Sequence, residues 1–321
     1  MKRREFIASV GASALGVAST LRFRRAAALE AVDGLSTLPK RQLGTSGVEL
    51  SVIGFSGLMA RGRTHEEVDH AMGVSLDMGI NYVDVAASYG NAEEMLAPVI
   101  KPHRKNLILA TKTRERTREG ARAEFVRSCE RLETDYFDMY LVHGIQHVGR
   151  DVDPAFAEGG AMKFLLEKKK SGEIRMLGFS AHSTEAAIAA MDRYDFDFFY
   201  FPISYVPYYK SGFGPAALDR AKEAGTPCIA LKALARQHWP ESIPREDRCK
   251  GCWYQPIDAP EEGRLALRWA LSQPVTSALP PSPEDYYLQS LALTEDLSPV
   301  SSEETERLKT MAADKLPLFP R

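Results

Sequence analysis

Three successive apolar runs of this chain end in groups that can move a proton. Asn81–Ala86 carries Asp84 and leads into Tyr89, Leu107–Lys112 ends in Lys112, and Met139–His143 ends in His143. A phenol titrates near pH ~10 and is a poor acid and a poor base at neutrality. An adjacent ammonium stabilises the phenolate and lowers that pKa. A carboxylate paired to the ammonium keeps it charged and fixes its position. A nearby imidazole can donate a hydrogen bond to a substrate oxygen. Together the four groups make a proton donor–acceptor beside a carbonyl, tuned towards neutral pH. Hydride must come from a cofactor, because no side chain supplies it. Taken singly, each residue has a plainer role: Asp84 and Lys112 as a structural ion pair, His143 as a strand-end histidine, Tyr89 as packing.

These groups need a frame. After residue 40, apolar runs alternate with helically spaced segments. The runs are Ser51–Gly57, Asn81–Ala86, Leu107–Lys112, Met139–His143, Met176–Ala181, Phe198–Ser204, Cys228–Ala233 and Thr276–Pro281. They are apolar at nearly every position, as parallel strands covered on both faces are. Helical spacing marks His65–Met78, Ala92–Ile100, Arg118–Leu132, Ala161–Ser171, Thr184–Arg193, Pro215–Ala224 and Glu261–Ser272. Gly79, Gly172 and Gly225 follow three of these segments, where a left-handed cap favours glycine. The alternation predicts an α/β fold, a single-domain (β/α)₈ TIM barrel over residues 40–321. A doubly wound open sheet fits less well, since no strand is followed by Gly-x-Gly-x-x-Gly. Catalytic groups of a TIM barrel lie at the C-terminal ends of its strands, where Asp84, Lys112 and His143 fall. The long loops Gly144–Gly160 and Leu234–Pro260 would lie on the same face.

The N-terminus differs in kind. Lys2, Arg3 and Arg4 precede Glu5-Phe6-Ile7, a mild apolar stretch runs to about Leu21, and Ala26-Ala27-Ala28 offers a small-residue cleavage site. This order resembles a twin-arginine export signal over residues 1–28, followed by a linker over 29–39. It implies a periplasmic or otherwise exported protein. A basic arm that is never cleaved is the alternative. Residues 1–28 hold six Lys or Arg and one Glu, a net of +5, so the remainder of a chain with net charge −2 carries −7. An acidic protein is a poor partner for nucleic acid. No apolar run in the body of the chain reaches the roughly 18 residues of a membrane span. Four cysteines are too few for a disulfide scaffold. Cys129 and Cys228 read as buried small hydrophobes, and Cys249-Lys250-Gly251-Cys252 as a loop pair, a small disulfide or a site of thiol exchange. No metal site is expected, and His147 and His182 read as polar loop residues.

The stretch Gly79-Ile-Asn-Tyr-Val-Asp84-Val-Ala-Ala-Ser-Tyr89-Gly90-Asn-Ala-Glu93 resembles the Gly-x-Asn-x-x-Asp-Thr-Ala-x-x-Tyr-Gly-x-x-Glu motif of the aldo-keto reductase superfamily. Ala110-Thr-Lys112, Asp135-Tyr-Phe-Asp138-Met-Tyr-Leu-Val-His143, Gly178-Phe-Ser180 and Leu267-Arg268-Trp269 are similar to its later motifs. The resemblance covers about residues 40–313. It implies a catalytic tetrad of Asp84, Tyr89, Lys112 and His143, an NADP or NAD cofactor, and a small carbonyl or alcohol substrate.

The cofactor motifs depart from the family pattern. The strand-six Gln that holds the nicotinamide amide has no equivalent in Tyr200-Phe-Pro-Ile-Ser204-Tyr205, and Ala181 follows Ser180 where Asn is common. Leu231, followed by Lys232, stands at the stacking aromatic of strand seven. Pro280-Pro281-Ser282-Pro283-Glu284-Asp285 lacks the cation that grips a 2′-phosphate, and Gln289 and Ser290 stand where Glu and Asn meet the adenine. By this resemblance Ser180, Ser204, Leu231, Lys232, Ser282, Gln289 and Ser290 are the cofactor-binding candidates. Two other functions stay open: a binding protein with a decayed cofactor site, and a redox-neutral epimerase or lyase with a retained nicotinamide.

Overall fold

The computed structural model describes Val32 and residues 35–319. The expected export signal, residues 1–28, lies outside the described residues. Eight parallel strands follow one another around the sheet in chain order: β1 (Phe55–Ser56), β2 (Tyr82–Asp84), β3 (Ile108–Thr113), β4 (Phe137–Ile145), β5 (Ile174–Ala181), β6 (Phe198–Pro202), β7 (Cys228–Leu231) and β8 (Val275–Leu279). The two edges meet through a parallel bridge between Ile53 and Ala278. Gly54 N–H donates to the Ala278 carbonyl at 3.1 Å and Ala278 N–H to the Val52 carbonyl at 2.9 Å. The strands form a (β/α)₈ barrel ringed by helices, as the alternation predicts.

The ring helices are α1 (His65–Asp77), α2 (Ala92–Ile100), α3 (Arg118–Arg131), α4 (Ala161–Ser171), α5 (Thr184–Met191), α6 (Tyr205–Ser211), α7 (Pro215–Ala224), α8 (Pro260–Ser272), α9 (Glu284–Ala292) and α10 (Ser302–Ala313). Local chemistry sets several ends. Thr64 and Glu67 form a capping box at the start of α1, and Ser301 and Glu304 form one at α10. Helix α4 ends on Gly172 at φ 84 and α7 on Gly225 at φ 68. The sequence patterns did not mark α6, α9 or α10. Among the described residues no helix is long and apolar enough to cross a membrane.

Alternation along each strand divides the apolar residues into two layers. Tyr82, Ala110, Met139, Leu141, Phe198, Tyr200, Ile229 and Leu279 fill the barrel interior, while Val83, Leu109, Tyr140, Val142, Phe199 and Ala278 pack outwards against the helices. A hairpin of Lys40–Gln42 and Glu49–Ser51 plugs the lower end with Leu43 and Leu50. The first apolar run is therefore shared between this plug and the barrel. Leu38, in the segment read as a linker, is buried, and its N–H donates to the Met78 carbonyl at 2.8 Å. Gly178 on β5 leaves room for the Phe198 ring, which a Cβ would meet at 2.5 Å.

Asp138 ties three strands together from outside the barrel. Its carboxylate accepts from Arg104 Nη1 and Arg175 Nη1, both at 2.7 Å, and from the Leu109 N–H at 3.0 Å. Removing it leaves a buried N–H and a largely buried guanidinium without their acceptor. Asp138→Ala should therefore lose about 3 kcal/mol of stability. Urea denaturation would measure it, and a loss under about 1 kcal/mol would show that the carboxylate does not hold the strands.

Candidate active site

The period of two carries the reactive groups into the barrel mouth. Asp84 stands one inward step above Tyr82, Lys112 above Ala110 and His143 above Leu141. Lys112 Nζ donates to Asp84 Oδ2 at 2.7 Å and to the Val85 carbonyl at 2.8 Å, with both side chains buried. Beneath them the Tyr82 and Tyr200 hydroxyls are hydrogen-bonded to one another. Tyr89, in the turn after β2, lies with its ring centroid 5.0 Å from Lys112 Nζ. Its ring meets that of His143 edge-on, with centroids 5.9 Å apart. The left-handed Gly144, at φ 69, lies where the β4 register shifts just past His143, and its N–H donates to Ser180 Oγ at 2.7 Å.

All four residues line one cavity of about 690 Å³. Its wall continues through Leu58, Arg61, Arg114, Ser180, His182, Leu231, Lys232, Ser282 and the loop segment Gly251–Tyr254. That loop belongs to the long segment after β7, where Ala235–His238 pairs with Tyr254–Pro256 as an antiparallel hairpin. Trp239 Nε1 donates to the Cys252 carbonyl at 3.0 Å and holds the loop down, whereas Trp253 is 55% exposed at the cavity rim. Tyr208 and Tyr209 pack against Trp269 and take no part in the cavity.

The electrostatics differ among the four residues. Burial pushes the Asp84 carboxyl up, opposed by Lys112. Burial also works against the Lys112 ammonium, but its interactions with Asp84, first, and with Tyr89 outweigh it, and its pKa ends above the ordinary lysine value. The 2.7 Å bond and the Val85 carbonyl fit a charged pair. For Tyr89 the sequence reading expected a pKa drawn down towards neutrality. In the structure burial raises it, and the opposing pull of Lys112 does not overcome that rise. Tyr89 therefore rests as a neutral phenol. Burial, reinforced by Lys112, Arg114, His182 and Arg116, holds His143 well below the ordinary histidine value. Its ring is a neutral hydrogen-bonding group.

The cofactor candidates separate into two sets. Ser180, Leu231, Lys232 and Ser282 line the cavity. Ser204, Gln289 and Ser290 are not brought to it. Ser204 is buried, Gln289 Nε2 donates to the Asp258 carbonyl at 3.0 Å, and the buried Ser290 hydroxyl donates within α9 to the Tyr287 carbonyl. Lys232 holds φ at 60, a left-handed conformation uncommon outside glycine. Its Nζ lies 5.8 Å from the Trp253 ring centroid and 5.9 Å from that of Phe319, and burial lowers its pKa to about 8. Sequence reasoning missed Arg114, although it stands two residues past Lys112 on the same inward face. Cys249 and Cys252 are free thiols, and hydrogen bonding between them, then burial, pushes the Cys252 thiol up. No group of three metal-ligating side chains is present among the described residues.

Residues 53–248 match the family model described as the Aldo/keto reductase family. The chain belongs to the aldo/keto reductase family. A Bacillus subtilis oxidoreductase, YqkF, is 31% identical over 156 residues, which are 44% of this chain and 48% of that protein. A 6-dehydroglucose reductase of Novosphingobium aromaticivorans is 29% identical over 174 residues, 48% of this chain and 55% of that protein. The chain thus spans about half the length of the curated relatives it matches. An aldo-keto reductase of Bacillus halodurans in its holo form superposes with a TM-score of 0.66 at 22% identity, over 88% of this chain and 98% of that one. Aldo-keto reductases use NAD(P)H and act on carbonyl groups.

The lowered pKa of His143 has a direct consequence in this aldo/keto reductase. A group depressed well below 6.5 stays neutral as the pH falls through the usual histidine range. In an NMR titration the His143 ring should show no protonation between about pH 8 and pH 6. A midpoint near 6.5 would contradict the burial described.

Proposed function

We propose that this chain reduces a carbonyl compound to an alcohol with a nicotinamide nucleotide, using Asp84, Tyr89, Lys112 and His143. The observation that carries the reading is the buried Asp84–Lys112 pair, set under the neutral Tyr89 phenol and facing His143 across one cavity.

Tyr89 holds the proton that a carbonyl oxygen needs as it becomes an alcohol. Its raised pKa keeps that proton in place until negative charge develops on the oxygen. The Lys112 ammonium then stabilises the phenolate left behind, and Asp84 keeps Lys112 charged and oriented. The neutral His143 ring donates a hydrogen bond to the same oxygen and helps to orient it. Water in the cavity returns a proton to Tyr89 after product leaves. When bound, the reduced nicotinamide supplies the hydride.

The residues present fit such a group. A dinucleotide brings a pyrophosphate, and the Lys232 ammonium, in the cavity wall, has no carboxylate partner among the described residues. Leu231 offers an apolar surface, and Ser180 and Ser282 offer hydroxyls. These four residues would hold the cofactor. The segment Tyr200–Tyr205 lacks the amide-binding Gln, so the nicotinamide amide would meet a different partner. The segment after β8 offers a 2′-phosphate little. Glu284 lies 3.6 Å from Arg63, which also pairs with Glu67 at 3.1 Å, and Ser282 Oγ is hydrogen-bonded to Ser56 Oγ at 3.2 Å.

Replacing Tyr89 by Phe removes the proton donor and keeps the ring. Turnover should fall by about 10²–10⁴-fold with an unchanged circular dichroism spectrum. A Tyr89→Phe protein with near-wild-type turnover would remove Tyr89 from the mechanism.

Nucleotide choice follows from the missing phosphate clamp. NADPH should bind less than about tenfold tighter than NADH, or roughly 1.4 kcal/mol. Both affinities should weaken as the pH rises through about 8, where Lys232 loses its charge. Titration by nucleotide fluorescence measures both effects. A hundredfold preference for NADPH would reveal an unseen clamp, and binding of neither nucleotide would sink the proposed function.

A further inference from the structure

The charges around the cavity do not balance. Five ionised side chains line it: Arg61, Asp84, Lys112, Arg114 and Lys232. Asp84 and Lys112 satisfy each other, and the two histidines, His143 and His182, are held neutral. Three cations, Arg61, Arg114 and Lys232, remain with no ion-pair partner among the described residues. Elsewhere in this acidic protein arginines are commonly matched, and Arg116 shows the contrast. Two residues beyond Arg114, its guanidinium donates to Asp151 Oδ1 at 3.1 Å and to the His143 carbonyl at 2.8 Å. Only the backbone of Arg114 is engaged: its N–H donates to Glu124 Oε2 at 2.9 Å and its carbonyl accepts from Arg116. Its guanidinium has no hydrogen-bond or ion-pair partner among the described residues and is left free at the cavity wall.

Arg114 and Lys232 serve different parts of the cavity. Arg114 bears electrostatically on Tyr89, His143 and His182, whereas Lys232 bears on His182. Arg114 therefore stands on the side of the proton-transfer groups, and Lys232 away from them. Arg114 also lines an adjoining cavity of about 370 Å³, together with Arg116, His147, Arg150 and Asp151. A ligand that reaches Tyr89 and His143 with one end can pass Arg114 with the other. Arg114 stands two residues past Lys112, just beyond the end of β3, and extended chain rises about 3.3 Å per residue, so the two ends of that ligand are several bonds apart.

We propose that the substrate is an oxo acid, a carbonyl compound with a carboxylate several bonds from the reacting carbon, and that Arg114 binds that carboxylate. The inference rests on the carbonyl-reducing reading above and adds the substrate class. A guanidinium fits a carboxylate as a planar, two-point partner. Arg116, the next cation, is already committed to Asp151, whose own carboxylate is held ionised beside it by the Gln146 and His147 N–H groups and by Arg116.

The test compares succinic semialdehyde with butanal, an aldehyde of equal chain length without the carboxylate, using NADH and NADPH as reductants. The wild-type protein should favour the acid at least tenfold in kcat/KM. Arg114→Gln should bring that ratio to within about threefold of one, mainly through the KM of the acid, and Arg114→Lys should restore part of it. Calorimetry with 4-hydroxybutyrate, the alcohol product, reads binding without turnover, and Arg114→Gln should weaken it at least tenfold. A wild-type ratio near one, or a ratio unchanged in Arg114→Gln, overturns the proposal even if both aldehydes are reduced, and so does equal binding of the product by both proteins. A preference for glucose 6-phosphate over glucuronate assigns a phosphate site instead and overturns it too. Binding of 4-hydroxybutyrate that depends on Arg114, with neither aldehyde reduced, sustains the anion site and sinks the reductase reading alone.

Discussion

The site depends on an ammonium and a carboxylate buried together at the floor of the barrel mouth. Taking either ion out of water costs several kcal/mol, and their mutual attraction offsets this only when the geometry is good and the remaining donors and acceptors are met. Lys112 contributes one bond to Asp84 and one to the Val85 carbonyl. Both residues stand on adjacent strands whose register is fixed by the ladder Tyr82–Ile108, Val83–Leu109 and Asp84–Ala110. A shift of one residue in either strand would turn one of the two charges out of the barrel. The packing of the interior and the chemistry of the mouth are therefore a single constraint.

Tyr89 is set by that constraint. A phenol this enclosed holds its proton tightly, and the Lys112 charge beside it pulls the other way. The structure gives burial the larger influence on the resting group. That suits a proton donor waiting for a developing charge. The Tyr82–Tyr200 pair below separates the ionic layer from the apolar interior, so charge and hydrocarbon are stacked in successive layers of one barrel.

The rim is built by segments distant in sequence. The hairpin after β7 carries Trp253 and Tyr254 to the cavity. The C-terminal segment fastens that hairpin: His238 N–H donates to the Leu316 carbonyl at 3.0 Å, and Leu316 N–H to Gln237 Oε1 at 3.1 Å. Phe319 then stacks between His182 and Phe213, with centroids 5.9 Å and 4.7 Å away. The cationic character of the cavity arises here as well, because the folded chain surrounds it with basic side chains while its surface is acidic on balance.

The sequence by itself determined the barrel and the places of Asp84, Lys112 and His143 in it. Both are written in local periodicity: eight apolar runs separated by helical segments, and Asp84, Lys112 and His143 at the ends of three successive runs, which chain order makes neighbours. Sequence could not decide how the Tyr89 pKa balances, since desolvation depends on everything packed around the ring and a nearby lysine shows only one side of that balance. Nor could motif position decide which cofactor candidates reach the cavity. Ser290 matches by spacing, yet helix α9 turns its hydroxyl into the core, whereas Leu231, Lys232 and Ser282 face the mouth. Arg114 was within reach of the two-residue strand period, but its lack of a partner was not. Whether a cation is free or paired depends on residues far apart in the chain, such as Asp151 beside Arg116, and only the tertiary structure brings those together or leaves them apart.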